Sequence, residues 1–383
     1  MTMPTSPEAV TSRGADSIVS EKPRTGHRER EPTELVIGLV NNMPDGAFRA
    51  TEDQFVSLLS SAATTNVTVR LRLFTLPDVP RPTAGQAEIA ERYENIDQLW
   101  GSRLDGLIVS GTEPRASALT EEPYWESLTK LVDWAGCHTI STIWSCLAAH
   151  AAVLHLDRIE REPFPAKLSG IFECGKASDH ILIGHRATPW AVPHSRHNGL
   201  SEDALIAKGY EILSRSPKTG PDIFAKTGQS LFLFLQGHPE YDLGALLQEY
   251  RRDVGRFLCG KRAQYPEMPY GYFDRPTEAI FSTFRERAVR NPSAEMFAQF
   301  PAISREALSH KWREAAIHLY GDWLSFLQAH KASTSKAGER DQPVEKPNAV
   351  DNILYLTPST PVHAESSDKN SEPEVEKCDR LTG

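Results

Sequence analysis

Short apolar runs with no polar break recur along this chain, and each is followed by a stretch with helical spacing. Residues 35–40 (Leu-Val-Ile-Gly-Leu-Val) are the first such run, and they predict a strand buried on both faces, as in parallel sheets. The loop 41–46 (Asn-Asn-Met-Pro-Asp-Gly) follows. Thr51 and Gln54 then match a capping box ahead of the helically spaced Phe55, Leu58 and Leu59. Val67, Val69, Leu71 and Leu73 alternate with Thr68, Arg70 and Arg72, the pattern of a half-buried strand near a sheet edge. Residues 107–110 and 139–143 read as further buried strands, with a helix over Tyr124–Val132 between them and another from Ala148 to Leu156. Residues 222–226 and 230–235 add two strands, and Leu243, Leu246, Leu247, Tyr250, Val254 and Leu258 form one helical face. The alternation predicts an α/β fold with a mostly parallel open sheet flanked by helices. Leu308, Trp312, Ala315, Leu319, Trp323 and Leu327 predict a long C-terminal helix that packs back on it.

The chain of 383 residues has two ends of different character. Residues 1–34 are rich in Ser, Thr, Pro, Arg and Glu, and residues 331–383 carry 10 acids, 7 bases and 5 prolines. Such segments bury too little apolar surface to offset the entropy of ordering, so both are expected to be disordered tails around one domain at 35–330. The net charge of −9 and pI near 5.8 argue against a general nucleic-acid binder. No stretch approaches the ~20 apolar residues of a membrane span, and the N-terminus lacks the apolar core of a signal peptide. The five cysteines are scattered, without a C-x-x-C pair. Neither a zinc ribbon nor a disulfide framework is indicated, and a reduced, cytoplasmic compartment fits.

In open α/β sheets ligands sit beyond the carboxyl ends of the strands. Three segments fall there: Ser110-Gly111-Thr112-Glu113-Pro114, Ser145-Cys146-Leu147-Ala148 and Gly237-His238-Pro239-Glu240. A cysteine between strand and helix is exposed at the helix N-terminus, where the dipole favours its thiolate. The Leu147 N–H would point to the same spot, as half of an oxyanion hole. A histidine after a neighbouring strand can act as base on that thiol, and a carboxylate two residues on can hold its ring. Cys146, His238 and Glu240 thus have the nucleophile–base–orienter logic of a triad. Taken singly, each has a plainer reading as a buried cysteine or a solvated turn. His180, His185, His194 and His197 lie close together but match no zinc template, so no metal is expected.

Gly237-His238-Pro239-Glu240-Tyr241-Asp242, Pro193-His194-Ser195-Arg196-His197, Lys167-Leu168-Ser169-Gly170 and Ser141–Cys146 resemble the homoserine O-acyltransferase family. This is the cysteine-dependent type on the class I glutamine-amidotransferase fold, and the likeness runs from about Leu35 to about Leu327. It implies that Cys146 carries the acyl group as a thioester, with His238 as proton acceptor and Glu240 as its orienter. It places substrate contacts on Lys167, Ser195 and Arg252, and a guanidinium at Arg252 suits a carboxylate. Three positions depart from the family pattern. The loop after Met43-Pro44 has Arg49 where a lysine is usual, Leu147 stands where Trp is common, and Arg115 occupies the position that sorts acyl donors. An arginine there can pair with the free carboxylate of a succinyl group, which favours succinyl-CoA over acetyl-CoA.

The function expected from this resemblance is acyl transfer from acyl-CoA to the hydroxyl of L-homoserine, in methionine biosynthesis. Acyl-CoA is then a co-substrate, and no cofactor is expected. The partners are small molecules, with neither nucleic acid nor membrane, and a homodimer is allowed. The alternatives are transfer to serine or another amino-alcohol, or a glutaminase-like amide hydrolase on the same fold.

Overall fold

The parallel strands that the apolar runs predict lie side by side at the centre of a ten-stranded sheet. The structure, a computed structural model, describes residues 32–184, 188–336 and 353–358. In chain order the strands are β1 (Thr33–Val40), β2 (Val67–Phe74), β3 (Leu104–Val109), β4 (Thr139–Ser145), β5 (Glu162–Lys176), β6 (Trp190–Gly199), β7 (Glu211–Ser216), β8 (Gly220–Thr227), β9 (Leu231–Leu235) and β10 (Leu354–Leu356). The helices are α1 (Asp45–Ala62), α2 (Thr83–Arg92), α3 (Ile96–Trp100), α4 (Trp125–His138), α5 (Leu147–Asp157), α6 (Glu202–Ala207), α7 (Ala245–Leu258), α8 (Arg275–Arg290) and α9 (Arg313–Lys336).

The sheet order is β10-β2-β1-β3-β4-β9-β8-β7-β5-β6. The stretch β2-β1-β3-β4-β9 is parallel, so these strands all end on one edge. The remaining neighbours pair antiparallel. The α/β class and its parallel centre thus stand, but the antiparallel extension through β5 and β6 was not foreseen. Two apolar layers cover the sheet. On one face Leu35, Ile37 and Leu39 pack under α1 and α9, and on the other Val40, Val109 and Trp144 pack under α4 and α5. Burial of β3, β4 and β9 on both faces explains why they read as unbroken apolar runs. A third cluster joins α7, α8 and Trp312.

Four readings change. Helix α1 starts at Asp45, so Thr51 and Gln54 are buried inside it rather than capping it. Pro44 sets the extended entry, and Asp45 meets the positive end of the dipole. The C-terminal helix starts at Arg313 and runs to Lys336, and Leu354–Leu356 pairs antiparallel with β2. The segment from 331 is therefore not tail throughout; the unpaired edge of β2 offers a ladder that even three residues can join. Most of 337–383, the expected N-terminal tail up to residue 31, and His185 lie outside the described residues. Cys137, Cys146 and Cys174 are free thiols. Cys259 is disulfide-bonded, which sequence spacing could not foresee because pairing depends on approach in space. Among the described residues no helix is long and apolar enough to cross a membrane.

Candidate active site

The carboxyl ends of β1, β3, β4 and β9 carry the residues Asn41–Asn42, Ser110–Gly111, Cys146 and Gln236–His238. Chain direction alone brings them together, because parallel strands in register end at one level. Cys146 N–H donates to Leu235 O (2.7 Å), which locks the end of β4 to the end of β9. Cys146 has φ 51° and ψ −112° and forms the N-cap of α5. A side-chain-bearing residue in this region is strained by about 1–3 kcal/mol, a strain that recurs where a turn must expose a reactive group. The chain leaves β4 and enters α5 within one residue. The thiol is thereby left half-exposed at the helix N-terminus.

His238 lies beside Cys146, close enough for the two to act on each other electrostatically, and its Nδ1 lies 2.8 Å from Glu240 Oε1. Burial alone would pull the ring's pKa down. The Cys146 thiolate and the Glu240 carboxylate together outweigh burial and hold it well above the usual histidine value. The arrangement favours the imidazolium form of His238. The ring also stacks on Tyr241, centroids 4.2 Å apart.

Three consecutive amides fix the turn that carries this histidine. Gln236 N–H donates to Asp222 O (2.9 Å), Gly237 N–H to the Asp222 carboxylate, and His238 N–H to Pro193 O (2.8 Å). Gly237 is required for close approach: a Cβ there would fall 2.4 Å from Val192 Cγ1 and 2.9 Å from Asp222 Oδ1. Beneath the turn lies a buried polar cluster. Arg196 donates to Gln236 Oε1 (3.1 Å), Thr219 O (2.6 Å) and His194 Nδ1 (3.3 Å), and His150 Nε2 lies 2.9 Å from the same Gln236 oxygen. Cys174, His194 and Asp222 bring possible metal-ligand atoms within 4.8 Å of one another. The Arg196 bond, however, makes His194 Nδ1 the acceptor and puts the proton on Nε2, 3.4 Å from Asp222 Oδ1. A protonated Nε2 has no lone pair for a metal, so this cluster reads as a support of the turn.

Strand alternation turns Ser195 to the opposite face of β6 from His194 and Arg196. There Ser195 donates to Glu249 of α7, and Lys167 of β5 bridges Glu249 and Asp253, each at 2.9 Å. Arg252 lies 3.4 Å from Asp253 and 3.9 Å from Glu249, with its head partly in solvent. Tyr241 donates to the other oxygen of Glu249. Burial would raise the Glu249 pKa, but Lys167 and Arg252 reverse this and hold it at about 2, so it is ionised. Glu249 therefore ties Lys167, Ser195 and Arg252 to Tyr241 and, through the stacked rings, to His238. Sequence reasoning missed it, although Glu249, Arg252, Asp253 and Arg256 recur at helical spacing on one face. It also missed Asp222 and Arg196; an acid inside the apolar run 221–225 was the available signal.

Leu147 N–H lies in the first turn of α5, where backbone donors have no partner within the helix. Gly111 packs directly against it, and a Cβ at Gly111 would fall 3.0 Å from Leu147 N. Arg115 stands apart from the Lys167 group. Its amide and that of Ala116 donate to Glu122 Oε1 (2.6 and 2.8 Å), and its guanidinium reaches Pro80 O (3.4 Å). Arg49 faces Glu52 and Glu88, while the buried Arg81 holds the loop after β1 through Met43 O (2.7 Å) and Asp45 (3.2 Å).

A chain that brings a thiol, a histidine held by a carboxylate and a cluster of paired charges to one end of its sheet has a direct likeness in known proteins. Residues 7–334 match the family model described as homoserine O-succinyltransferase. The chain belongs to the homoserine O-succinyltransferase family. A homoserine O-succinyltransferase of Bradyrhizobium japonicum is 47% identical over 305 residues, covering 78% of this chain and 92% of that one. One of Rhodopseudomonas palustris is 47% identical over 314 residues, covering 82% and 94%. Solved structures that align with it include a glutamine amidotransferase of Thermotoga maritima, with TM-score 0.41 and 13% identity, covering 78% of this chain and 97% of that one. Membership makes this family member an acyltransferase.

Proposed function

We propose that this protein transfers the succinyl group of succinyl-CoA to the hydroxyl of L-homoserine through a thioester on Cys146. The observation that carries the reading is the meeting of Cys146, at the turn from β4 into α5, with His238, whose Nδ1 is held by Glu240. The thiolate attacks the acyl carbonyl of the donor, and the Leu147 N–H stabilises the oxyanion that forms. The tetrahedral species collapses, the imidazolium gives its proton to the departing CoA thiolate, and Cys146 is left acylated. His238, now neutral, takes the proton of the homoserine hydroxyl as that oxygen attacks the thioester. Collapse releases O-succinylhomoserine and restores the thiolate. Glu240 keeps the ring's reactive nitrogen turned to the sulfur throughout.

The acceptor is a zwitterion and needs both signs of charge. Arg252 offers its partly free guanidinium to the carboxylate. Glu249, ionised and buried, suits the ammonium, with Ser195 and Lys167 fixing its orientation. Arg115 faces the donor's acyl end, and its charge favours a dicarboxylic acyl group. CoA is a co-substrate, and no residue of the scheme calls for a metal. We place the protein in the cytoplasm, where a reduced nucleophile and CoA thioesters coexist, in the synthesis of methionine.

Incubation with succinyl-CoA alone tests this. Intact-mass spectrometry should show one added succinyl mass, mapped to Cys146, that disappears when homoserine is added. Cys146→Ala should show neither the adduct nor turnover. Normal turnover in that variant rules out the mechanism.

A further inference from the structure

Helix α9 lies outside the strand–helix alternation that builds the site, yet it reaches the turn that carries His238 and Glu240. Trp312, just before α9, donates its indole N–H to Tyr241 O (2.9 Å), the residue after Glu240. Ala316 and Leu319 of α9 share the wall of a small cavity with Pro239, the residue before Glu240. Trp323 donates to Ser141 Oγ (3.0 Å) on β4, the strand that leads to Cys146. One stretch of chain is thus pinned to the turn of the base and to the strand of the nucleophile. Tyr320 lies between the two pins.

Tyr320 is fully buried, and its hydroxyl has no hydrogen-bond partner among the described residues. Its ring lies against Trp323, centroids 6.2 Å apart. Burial pushes its pKa well above the ordinary tyrosine value, and the Glu240 charge pushes the same way. The hydroxyl therefore keeps its proton and remains a donor. Glu240 has the complementary defect. Its Oε1 faces His238 Nδ1, but its Oε2 is buried with no partner among the described residues. Neighbouring donors are committed elsewhere: Trp312 Nε1–H to Tyr241 O, and the Tyr241 hydroxyl to Glu249. A buried donor and a buried carboxylate oxygen each cost free energy when unmet. An approach of the two within one packed region removes both costs. Bonds of a catalytic network often stop short of contact and tighten as substrate binds.

We propose that Tyr320 is a positioning residue for the acyl transfer, its hydroxyl donating to Glu240 Oε2 and so keeping Oε1 on His238 Nδ1. The proposal rests on the triad reading above and deepens it, because it brings the C-terminal helix into the control of the base. The terminal torsion of a glutamate is soft. A carboxylate held by one oxygen alone turns more freely, and the ring it orients turns with it. Tyr320 acts through Glu240 and not on the substrate.

The test is a double-mutant cycle with succinyl-CoA and homoserine, reading kcat, both KM values and the melting temperature. The four proteins are wild type, Tyr320→Phe, Glu240→Ala and the double variant. Tyr320→Phe keeps the ring and its packing, so its melting temperature should stay close to wild type. Its kcat should fall roughly tenfold. Both KM values should stay within about twofold, since the two half-reactions use the same base and binding is untouched. In the Glu240→Ala background the same substitution should change kcat by less than about twofold. A loss of the same factor in both backgrounds overturns the proposal, because the hydroxyl would then serve packing rather than Glu240. A loss that appears in KM and not in kcat overturns it too, as does an unchanged kcat in Tyr320→Phe while Glu240→Ala is impaired. Turnover of Glu240→Ala equal to wild type would instead remove the underlying triad reading.

Discussion

Cys146 is held at positive φ by its neighbours rather than by its own preference, and what it gains is position. Its thiol meets His238 on one side and the first-turn amides of α5 on the other. Glu240 holds His238 Nδ1 and so leaves Nε2 as the free ring nitrogen, the one that the proposed mechanism uses as base. His238→Ala should therefore lower kcat by roughly 10²–10⁴-fold. Glu240→Gln should cost less, since the amide oxygen can still accept from Nδ1, but it removes the negative charge that favours imidazolium. The alkaline limb of its kcat–pH profile should move to lower pH than in wild type, because without the Glu240 charge the His238 imidazolium gives up its proton earlier. A Glu240→Gln enzyme with unchanged kcat and an unchanged pH profile would reduce the proposed triad to a dyad.

The turn after β9 and the loop after β3 show how secondary-structure ends set reactive atoms. The 236–238 amides are all taken by β8 and β6, so the base cannot drift from the elbow of β4. Gly111 lets the loop after β3 lie against the Leu147 amide. A methyl group there would need the amide to shift by a few tenths of an ångström. Gly111→Ala should thus lower the rate of Cys146 acylation at least tenfold, short of the roughly 10²–10³ expected for a lost oxyanion donor. Its circular dichroism and melting temperature should stay close to wild type, and an unaffected acylation rate would show that the oxyanion is stabilised elsewhere.

Over the entire domain, buried histidines link stability to pH. Burial, only partly offset by the Gln236 hydrogen bond, lowers His150 to about 4, and His194 moves in the same direction. The unfolded chain takes up a proton near pH 6.5, which the folded chain resists. Their contribution is full above about 6.5 and is lost as pH falls toward 4, by on the order of 3 kcal/mol for His150. Glu249, at about 2, adds a second loss between about 4.5 and 2. His238 has the opposite sign, since its raised folded pKa gives stability below about 6.5 that is lost as pH rises through that pKa. The urea midpoint should drop from pH 7 to pH 5, with a shallower slope in His150→Gln. An identical slope would mean that His150 is charged in the folded protein.

The centre of the fold was legible, and so was the meeting of Cys146, His238 and Glu240 at one end of the sheet, because local patterns encode them. Strands such as Leu104–Val109 and Leu231–Leu235 are covered on both faces, so their burial appears as unbroken apolar runs. Cys146 and His238 follow such runs directly. The likeness to acyltransferases rested on contiguous motifs, and the family model bears it out. The hairpin Glu162–Lys176 with Trp190–Gly199 was illegible for the opposite reason. Its polar residues belong to the two clusters it serves, so it has no clean apolar alternation. Glu249 and Asp222 look like ordinary acids until α7 is laid against β6 and β8 against β9. Only then does Lys167 meet a residue 82 positions away, and only then does Gly237 find its carboxylate. Strand identity is a property of neighbouring residues, whereas strand order, the pairing of buried charges and the orphan hydroxyl of Tyr320 arise from contacts between distant ones, which tertiary packing alone creates.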